Sequence, residues 1–492
     1  MESTTAEGAK APAAARPSPL TLPVVLAGVV LVAMSISGTA VALPEIGREL
    51  NASGPALNWV VAGYNLAFAA MTLVAGSTAD RVGRRRTFVV SALIFSAGFL
   101  ATAVSPSIVL TDTARIVSGA GGAGIMAAGG ALLASGYQGA ARNRAFALMG
   151  TMAGVGIAVG PTLSGLLISA TGWRGSFAVF TVIALLVALG GTRVRESRSA
   201  AGRTDWVGSV LFVAALALLM FALLEAPSLG WTDPAVVGTA GGGLVALIAF
   251  AAVQRRSASP VLDPALVANR GFLGWSLATL TTSIGFLGVL VFLPTYLQSA
   301  AGLTPAAAGA AMLLLTAPVL VMPMAAVTLV AKGVPARLLI VLALLLVAAG
   351  NLCLVTLGPR GTVVIAALPL LMIGVGMGMS FGITDGQAMS LVPADSVGMA
   401  AGFLNTLRGA AEAMVIAAFG AALLGFLTSR LGDSGQAAAV SSGRLTAADR
   451  GSELAAFTRA WHLTQLGIGV LCLVLSAVVV VLVAGRRPRR TA

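Results

Sequence analysis

Residues 76–86 read GSTADRVGRRR, a charged stretch set between two long apolar runs at 57–78 and 87–105. Its charges stand out in a chain in which 58% of residues are hydrophobic and only 10% are charged. Soluble domains are about 45–50% apolar and about 25% charged. The stretch therefore predicts a short turn between two membrane helices, with Gly76 and Gly83 supplying the backbone freedom that a tight turn requires.

Apolar runs long enough to cross a bilayer, which takes about 20 residues, recur on both sides of this turn. We predict an all-α integral membrane protein with fourteen transmembrane helices. The predicted runs are 21–43, 57–78, 87–105, 108–134, 145–170, 175–192, 206–224, 235–253, 272–296, 306–329, 336–357, 362–384, 398–428 and 461–484. This composition excludes a soluble enzyme.

The distribution of Lys and Arg predicts the orientation of the chain. Of the 30 Lys and Arg residues, 21 fall in segments on the side of the amino terminus and 7 on the opposite side. Because cytoplasmic loops are enriched in Lys and Arg, we expect both termini to be cytoplasmic. The predicted divisions are a disordered tail 1–20, a first bundle 21–192, an inserted pair 206–253, a second bundle 272–484 and a basic tail 485–492.

One long segment, 430–460, is expected on the outer side. It is polar and rich in Ser, Gly and Ala, which predicts a flexible external loop that transport does not need.

Several functional classes are excluded by what the chain lacks. Its basic residues lie in short loops, so no nucleic-acid-binding stripe is predicted. Cys353 and Cys472 each stand alone in an apolar run, and His462 is the single histidine, so no metal site or cofactor is expected. A membrane-embedded enzyme is hard to build with one histidine, and ATP-driven transport is disfavoured because no Walker-type loop occurs.

The opening stretch carries a Gly-x3-Asp-Arg-x-Gly-Arg-Arg spacing that resembles the signature loop of the major facilitator superfamily. In that family the loop is a charged latch that holds the two halves of the transporter together on the cytoplasmic side. The resemblance implies the same role for Gly76, Asp80, Arg81, Gly83, Arg84 and Arg85.

Further motifs resemble the fourteen-helix drug:proton antiporter branch of that superfamily. They are ALPEI (42–46), WVVAGYNLA (59–67), ARIVSGAGGAG (114–124), GIAVGPTLSG (156–165), DWVGSVL (205–211), LPTYLQSAAGLTPAAAG (293–309) and AGFLNTLRGAAEA (401–413). The resemblance implies two six-helix bundles with two inserted helices between them, in a protein that works as a monomer.

The motif at 156–165 has a physical interpretation of its own. Gly156, Gly160 and Gly165 form a groove of small residues that allows close helix approach. Pro161 removes an internal hydrogen bond and can bend the helix. In the family this contact seals or opens the boundary between the halves and is associated with exporters.

Asp112 and Arg115 lie one turn apart in the fourth predicted helix, where charge is costly. The resemblance places an acid nine residues before Pro44, but Ser35 occupies that position. Two interpretations stay open for Asp112. It forms a static ion pair with Arg115, or it replaces the missing acid as the group that couples transport to protons.

A second pair, Arg408 and Glu412, has the i, i+4 spacing of helix neighbours in the thirteenth predicted helix. Glu412 stands where the family commonly has glycine, so it is a second candidate for coupling or substrate binding, with a structural pair as the alternative. Asp385, near the cytoplasmic end of the twelfth predicted helix, is expected to serve the helix end or gating more than binding.

These observations together predict proton-coupled export of amphipathic small molecules, such as antibiotics, across a bacterial cytoplasmic membrane by alternating access. The expected partners are the substrate, protons and the lipid bilayer. The alternative is a transporter of the same fold that exports or imports a specific metabolite.

Overall fold

The computed structural model describes residues 18–198, 205–257, 269–359, 362–391 and 397–484, and every long element in these ranges is a helix. The first half contains α1 (Thr21–Gly38), α2 (Leu43–Glu49), α3 (Pro55–Val82), α4 (Arg84–Ala103), α5 (Ile108–Gly136) and α6 (Gly139–Thr192). A hairpin of α7 (Trp206–Leu229) and α8 (Pro234–Gln254) follows. The second half contains α9 (Arg270–Ala300), α10 (Pro305–Ala311), α11 (Leu313–Ala331), α12 (Ala336–Cys353), α13 (Thr362–Met389), α14 (Val397–Leu431), α15 (Ser434–Ser441) and α16 (Arg450–Ala484). Residues 1–17 of the predicted first tail and all of the basic tail 485–492 lie outside the described residues.

The all-helical membrane fold is confirmed, whereas the count of fourteen spans is not. By length and apolar composition, the described residues contain 12 candidate spans, or 13 if the bent pair Pro55–Thr72 and Val74–Val82 is one span. Two predicted runs, 145–170 and 175–192, fall within one 49-residue candidate, Arg144–Thr192. The difference arises partly because these two runs meet directly at Gly172, where the backbone leaves the helical conformation inside α6.

The helices of the first half pack through small residues and aromatic rings. Helix α1 packs on α6, and α5 packs on α3 and α4. A Cβ added at Gly119 of α5 would collide with the backbone oxygen of Tyr64 on α3, so these helices touch backbone to backbone. The ring of Phe99 lies 5.4 Å from that of Phe180 and 5.6 Å from that of Phe177. Close packing of this kind is what holds helices together in lipid.

The second half is built around α9, of which 89% of the most apolar window is buried. Helices α13, α14 and α16 surround it. The rings of Phe292 on α9 and Phe419 on α14 stack at 4.7 Å, and Tyr296 stacks on Trp461 of α16 at 5.3 Å.

The α7–α8 hairpin lies against both halves, because α7 packs on α3 and on α14. One hydrogen bond fixes this position, from Trp59 Nε1 on α3 to Glu225 Oε1 on α7 at 3.3 Å.

The two halves touch along α3 and α14 and at one end of the molecule. We name the end that carries residues 50–54 and 432–449 the outer end, and the end that carries residues 76–86 the inner end, after the side that the charge distribution predicts. Near the outer end, Thr162 Oγ1 of α6 donates to Gly309 O at 2.9 Å. Thr316 Oγ1 of α11 donates to Ala158 O at 2.8 Å.

Toward the inner end the halves separate. A Cβ placed at Gly150 of α6 or at Gly76 of α3 would meet no atom within 4 Å, and one at Gly154 would reach only Val319 O at 4.0 Å. Closure at the outer end with space at the inner end is the inward-open arrangement of a transporter whose halves rock against each other.

The outer segment 430–460 is not the flexible loop that its composition predicted. Helix α14 continues to Leu431, α15 follows at Ser434–Ser441, and α16 begins at Arg450. Glu453, 1% exposed, accepts hydrogen bonds from the Gln436 amide at 2.9 Å and from Thr446 N at 2.6 Å. A buried carboxylate with these donors holds the segment as a folded cap.

Candidate functional site

The central boundary between the halves is the contact of α3 with α14, which we name the α3/α14 seam. A Cβ at Gly420 would lie 2.7 Å from Asn58 Nδ2, and one at Gly409 would lie 3.0 Å from Ala69 Cβ. Eleven residues separate the two contacts on each helix, so the helices run antiparallel in matched register. Glu412 is therefore level with Leu66 and about 3 Å along the axis from the level of Tyr64.

Arg115 is fully buried in the first half beside this seam. Its Nε donates to Val60 O at 3.2 Å and its Nη1 donates to Ser35 Oγ at 3.3 Å. The guanidinium carbon also lies over three aromatic rings, those of Tyr64 at 4.3 Å, Phe99 at 5.3 Å and Phe177 at 5.7 Å. No ion pair among the described residues includes Arg115.

The expected ion pair of Asp112 with Arg115 is therefore wrong. Oδ1 of Asp112 is buried without a hydrogen-bond partner, and the carboxylate makes no ion pair with a described residue. The i, i+3 spacing placed the two residues one turn apart, but the Arg115 side chain turns toward Ser35 on α1 and Tyr64 on α3.

Arg408 also has a different partner from the one that its spacing predicted. Its Nη2 lies 2.9 Å from Asp385 Oδ1 of α13, and its guanidinium carbon lies 4.6 Å from the ring of Phe381. The pairing with Glu412 is not formed. Asp385 thus belongs to an ion pair that joins α13 to α14, and its side chain stays 46% exposed.

Glu412 makes no hydrogen bond or ion pair with any residue that the structure describes. Its carboxylate interacts electrostatically with Arg408 and with Tyr64 across the seam. Arg115 thus lies over Tyr64, Glu412 interacts with both Tyr64 and Arg408, and Arg408 pairs with Asp385. These interactions connect charged and polar groups of the first half to those of the second.

The loop at the inner end of α3 is organised within its own half. Arg84 Nη2 contacts Asp80 Oδ1 at 2.8 Å. The carboxylate of Glu196 accepts from the backbone N of Arg85 at 2.9 Å and of Arg86 at 3.3 Å, at the start of α4.

Glu196 was not found by the sequence analysis. Its signal was available, because it is the only acid in the inner segment 193–198 that follows α6. The position of Glu196 also explains why residue 83 is a glycine. A Cβ there would come within 2.7 Å of the Glu196 carboxylate carbon, and the backbone has φ 128°.

The small residues of α6 serve two different contacts. A Cβ at Gly156 would lie 2.6 Å from Ala33 Cβ, and one at Gly160 would collide with Ser37 Oγ, so these glycines seat α6 on α1. On the other side, Gly165 faces Pro305 O, while Pro161 O faces Gly309. The motif thus reaches across the boundary to α10, where the halves meet.

These helices, their packing and the loop motif agree with a comparison to known families. A model of the Major Facilitator Superfamily matches residues 25–416 of the chain. The chain belongs to the major facilitator superfamily.

Curated relatives within the superfamily include resistance proteins. The chain is 34% identical to the puromycin resistance protein pur8 of Streptomyces alboniger, over 84% of this chain and 83% of that protein. It is 32% identical to the multidrug resistance protein Stp of Mycobacterium tuberculosis, over 80% of this chain and 73% of that protein. The methylenomycin A resistance protein of Streptomyces coelicolor is 30% identical, over 85% of this chain and 89% of that protein.

Solved structures of similar fold include a bacterial homologue of the human lysosomal transporter Spinster in an inward-facing, unoccupied conformation. Its TM-score is 0.67 at 16% identity, covering 95% of this chain and 98% of that one. The POT-family transporter PepTSo has a TM-score of 0.64 at 15% identity, covering 94% and 98%. At these identities the resemblance shows the fold of the superfamily alone.

Proposed function

We propose that this chain exports amphipathic small molecules, antibiotics among them, across a bacterial cytoplasmic membrane in exchange for protons. Three relatives named for drug resistance cover most of the chain and support export. The observation that carries proton exchange is Glu412, an acid without a partner in the α3/α14 seam. An acid in this position can change its charge as the seam opens to one side and then the other.

The proposal includes fourteen membrane crossings with both termini in the cytoplasm. Gly172 interrupts α6 with φ 69° and ψ 172°, a backbone conformation that no helix residue adopts. Dividing the 49-residue candidate there, and counting the bent α3 as one span, brings the 12 candidates to fourteen. Helices α7 and α8 are then the two inserted spans between six-helix bundles.

Transport proceeds by alternating access between the two halves. In the inward-open arrangement, substrate enters from the inner end, where Gly76 and Gly150 face open space. Export then requires the outer contacts of α6 with α10 and α11 to part and the inner ends to close. The loop 76–86 becomes a latch at that stage, when the inner ends of α3 and α14 approach each other.

Glu412 is a better coupling group than Asp112, which the missing acid at Ser35 first suggested. Asp112 makes no ion pair with Arg115, and its helix position lies only one turn from the outer start of α5. Glu412 lies near the level of Tyr64, where α3 and α14 meet. A charge at this level can interact with groups of both halves.

A drug-susceptibility panel tests the function. The chain is expressed in a bacterial host lacking its own drug pumps and challenged with puromycin, methylenomycin A and other amphipathic antibiotics, with and without a proton uncoupler. We expect resistance to at least one compound that the uncoupler abolishes. Resistance that persists with the uncoupler contradicts proton coupling. No resistance to any compound, with uptake or release of a single metabolite instead, supports a metabolite transporter.

Two variants distinguish the candidate acids. Glu412→Gln removes the charge and keeps the shape, and we expect it to lose proton-driven export. Asp112→Asn is assayed in parallel, with membrane levels of both variants matched to the parent protein. Loss of coupling in Asp112→Asn alone would return the coupling role to α5.

A further inference from the structure

Tyr64 is the residue that connects the two charged groups on either side of the seam. It is fully buried, and the Arg115 guanidinium lies 4.3 Å above its ring. Its hydroxyl is buried without a hydrogen-bond partner of acceptable geometry, although Ser35 lies beside it. A buried hydroxyl without a hydrogen-bond partner destabilises the folded protein, so the presence of this one needs an explanation.

Space for this hydroxyl is built into α5. A Cβ at Gly122 would lie 2.8 Å from Tyr64 Oη, so any larger residue there would push on the hydroxyl. The hydroxyl is thus held in a defined place between α1, α3 and α5, and it makes no hydrogen bond of good geometry to a described residue, although Ser35 lies beside it.

The register of the seam brings one acceptor near. Glu412 on α14 is level with Leu66, about 3 Å along the axis from the level of Tyr64, and the two side chains interact electrostatically. The carboxylate of Glu412 has no described partner, while the cation of Arg115 has no carboxylate. Arg115 and Tyr64 on one side of the seam and Glu412 on the other therefore lie at nearly the same level.

We propose that Tyr64 is a positioning residue that couples the charge of Glu412 to that of Arg115. Its hydroxyl donates a hydrogen bond to the ionised Glu412 when the inner ends close. This inference rests on the proposed role of Glu412 in proton coupling. Ionised Glu412 is drawn toward Arg115 and the Tyr64 hydroxyl, which favours the inward-closed arrangement. A proton on Glu412 removes that attraction, and the inner ends separate as in this structure.

Charged groups on the surrounding helices also contribute to the electrostatic environment of these residues. Asp112 lies on α5, Asp385 and Arg408 form their own pair, and Glu225 of α7 is bonded to Trp59. Helix α1 carries no charged residue, and α9 carries none beyond Arg270. Glu412 is accordingly the acid nearest in register to Tyr64 on α14.

The test measures closure of the inner ends without any substrate. A single cysteine replaces Gly150, which faces open space at the inner end, in a Cys353→Ser background that leaves only the buried Cys472. The rate of labelling by a membrane-permeant thiol reagent is measured from acid to alkaline pH in membranes. Each rate is divided by that of the same unfolded protein, which corrects for ionisation of the thiol.

We expect labelling of the parent protein to fall several-fold as pH rises, because ionised Glu412 closes the inner ends. Tyr64→Phe keeps the ring under Arg115 and removes only the hydroxyl, so its labelling should stay high at all pH values. Tyr296→Phe is the matched control, since it removes another buried tyrosine hydroxyl, bonded to Thr458 Oγ1 at 3.0 Å, and should behave like the parent.

A second pair of variants acts on the same hydroxyl from α5. Gly122→Ala pushes on Tyr64 Oη and should flatten the pH dependence as Tyr64→Phe does. Gly130→Ala, on the same helix, adds a methyl group whose nearest neighbour is 3.9 Å away and should leave the dependence unchanged.

The outcomes separate this inference from the proposed function. If Glu412→Gln flattens the pH dependence while Tyr64→Phe keeps it, Tyr64 has no positioning role and Glu412 remains the coupling acid. If Glu412→Gln keeps the dependence, or the parent shows none, both the coupling role of Glu412 and the inference that rests on it are overturned.

Discussion

At the scale of single residues, the main question is how Arg115 remains in the membrane without a carboxylate. A charged side chain near the centre of a membrane helix costs at least about 2.5–3.5 kcal/mol. A desolvated cation over an aromatic ring recovers about 2 kcal/mol or more, and each hydrogen bond to a charged group contributes about 1.5–3 kcal/mol. The rings and the two oxygens around Arg115 are therefore sufficient to offset the cost.

Ser35→Asp places an acid where Arg115 already points, since Arg115 Nη1 lies 3.3 Å from Ser35 Oγ. We expect an ion pair that holds Arg115 away from Glu412. In the parent this change should reduce the pH dependence of inner-end labelling. In the Glu412→Gln background, the new acid should restore part of the dependence on the pH gradient for export. Ser35→Asn, which has the same size as the new acid but no charge, is the control and should restore nothing.

A second residue-scale prediction concerns Gln465 of α16. It is fully buried, and both its amide oxygen and its amide nitrogen lack hydrogen-bond partners. Gln465→Leu should raise stability by about 1–3 kcal/mol, the cost of unsatisfied buried polar groups, measured as a higher unfolding midpoint in detergent. Gln298→Leu is the contrast, because Gln298 Nε2 donates to Val41 O at 3.1 Å and its loss should lower the midpoint. A lower midpoint for Gln465→Leu would show that its amide is satisfied in the native protein.

The sequence identified the charged residues of the seam but not their partners. Residues three or four apart on a helix are neighbours, which predicted Asp112 with Arg115 and Arg408 with Glu412. Both local pairs are absent, because long side chains reach other helices, as Arg408 reaches Asp385 on α13. Tyr64 was overlooked, since only packing reveals a hydroxyl without a partner.

At the scale of secondary-structure elements, the loop 76–86 is a joint between α3 and α4 with its own anchor. Glu196 accepts from two backbone N–H groups at the start of α4, where an acid also complements the helix dipole. This anchor fixes the loop to the end of α6. The basic loop is thus tied to the first half, which agrees with the latch proposed for it.

Asp80→Asn tests the latch. The role proposed for Asp80 is in closure of the inner ends, and its side chain is 43% exposed, so the variant should insert normally. We expect export to fall on the order of tenfold, within the range of typical coupling free energies, as measured by substrate efflux from loaded cells. Asp449→Asn, at an exposed position of the outer cap, is the matched control with full export. Normal export by well-inserted Asp80→Asn would rule out the latch role.

Helix positions were predictable because membrane helices are defined by length and apolar composition. The two exceptions follow from what that signal omits. Hydropathy does not show how directly two spans join at Gly172 within α6, and it does not show that a polar segment folds. In the outer cap, Ala437 and Val440 are fully buried and Glu453 supplies the anchor, a tertiary arrangement with no periodic signature.

At the scale of the whole molecule, the outer cap joins the two halves while the inner ends are apart. Arg444 Nη1 donates to Asn51 Oδ1 at 2.6 Å, and Ala438 Cβ would lie 3.0 Å from a Cβ at Gly54. Asn51 has φ 50°, the only positive value for a non-glycine residue in the described part of the chain. The turn of the first half is thus shaped to meet the cap of the second.

Arg444→Ala should therefore weaken closure of the outer end and shift the molecule toward the outward-open arrangement, contrary to the dispensable loop that composition suggested. A cation bonded to a neutral oxygen at a partly exposed site contributes about 1 kcal/mol. The ratio of inward-open to outward-open molecules should therefore fall roughly fivefold, and labelling of Gly150→Cys should fall by no more than that factor. Asn51→Ala should give the same fall, and the double variant should add little, because both remove one bond. Arg450→Ala removes an exposed charge at the start of α16 and should leave labelling unchanged. Equal labelling of all four variants and the parent would show that the bond between Arg444 and Asn51 does not stabilise the closed outer end. The contacts of α6 with α10 would then hold that end closed without the cap.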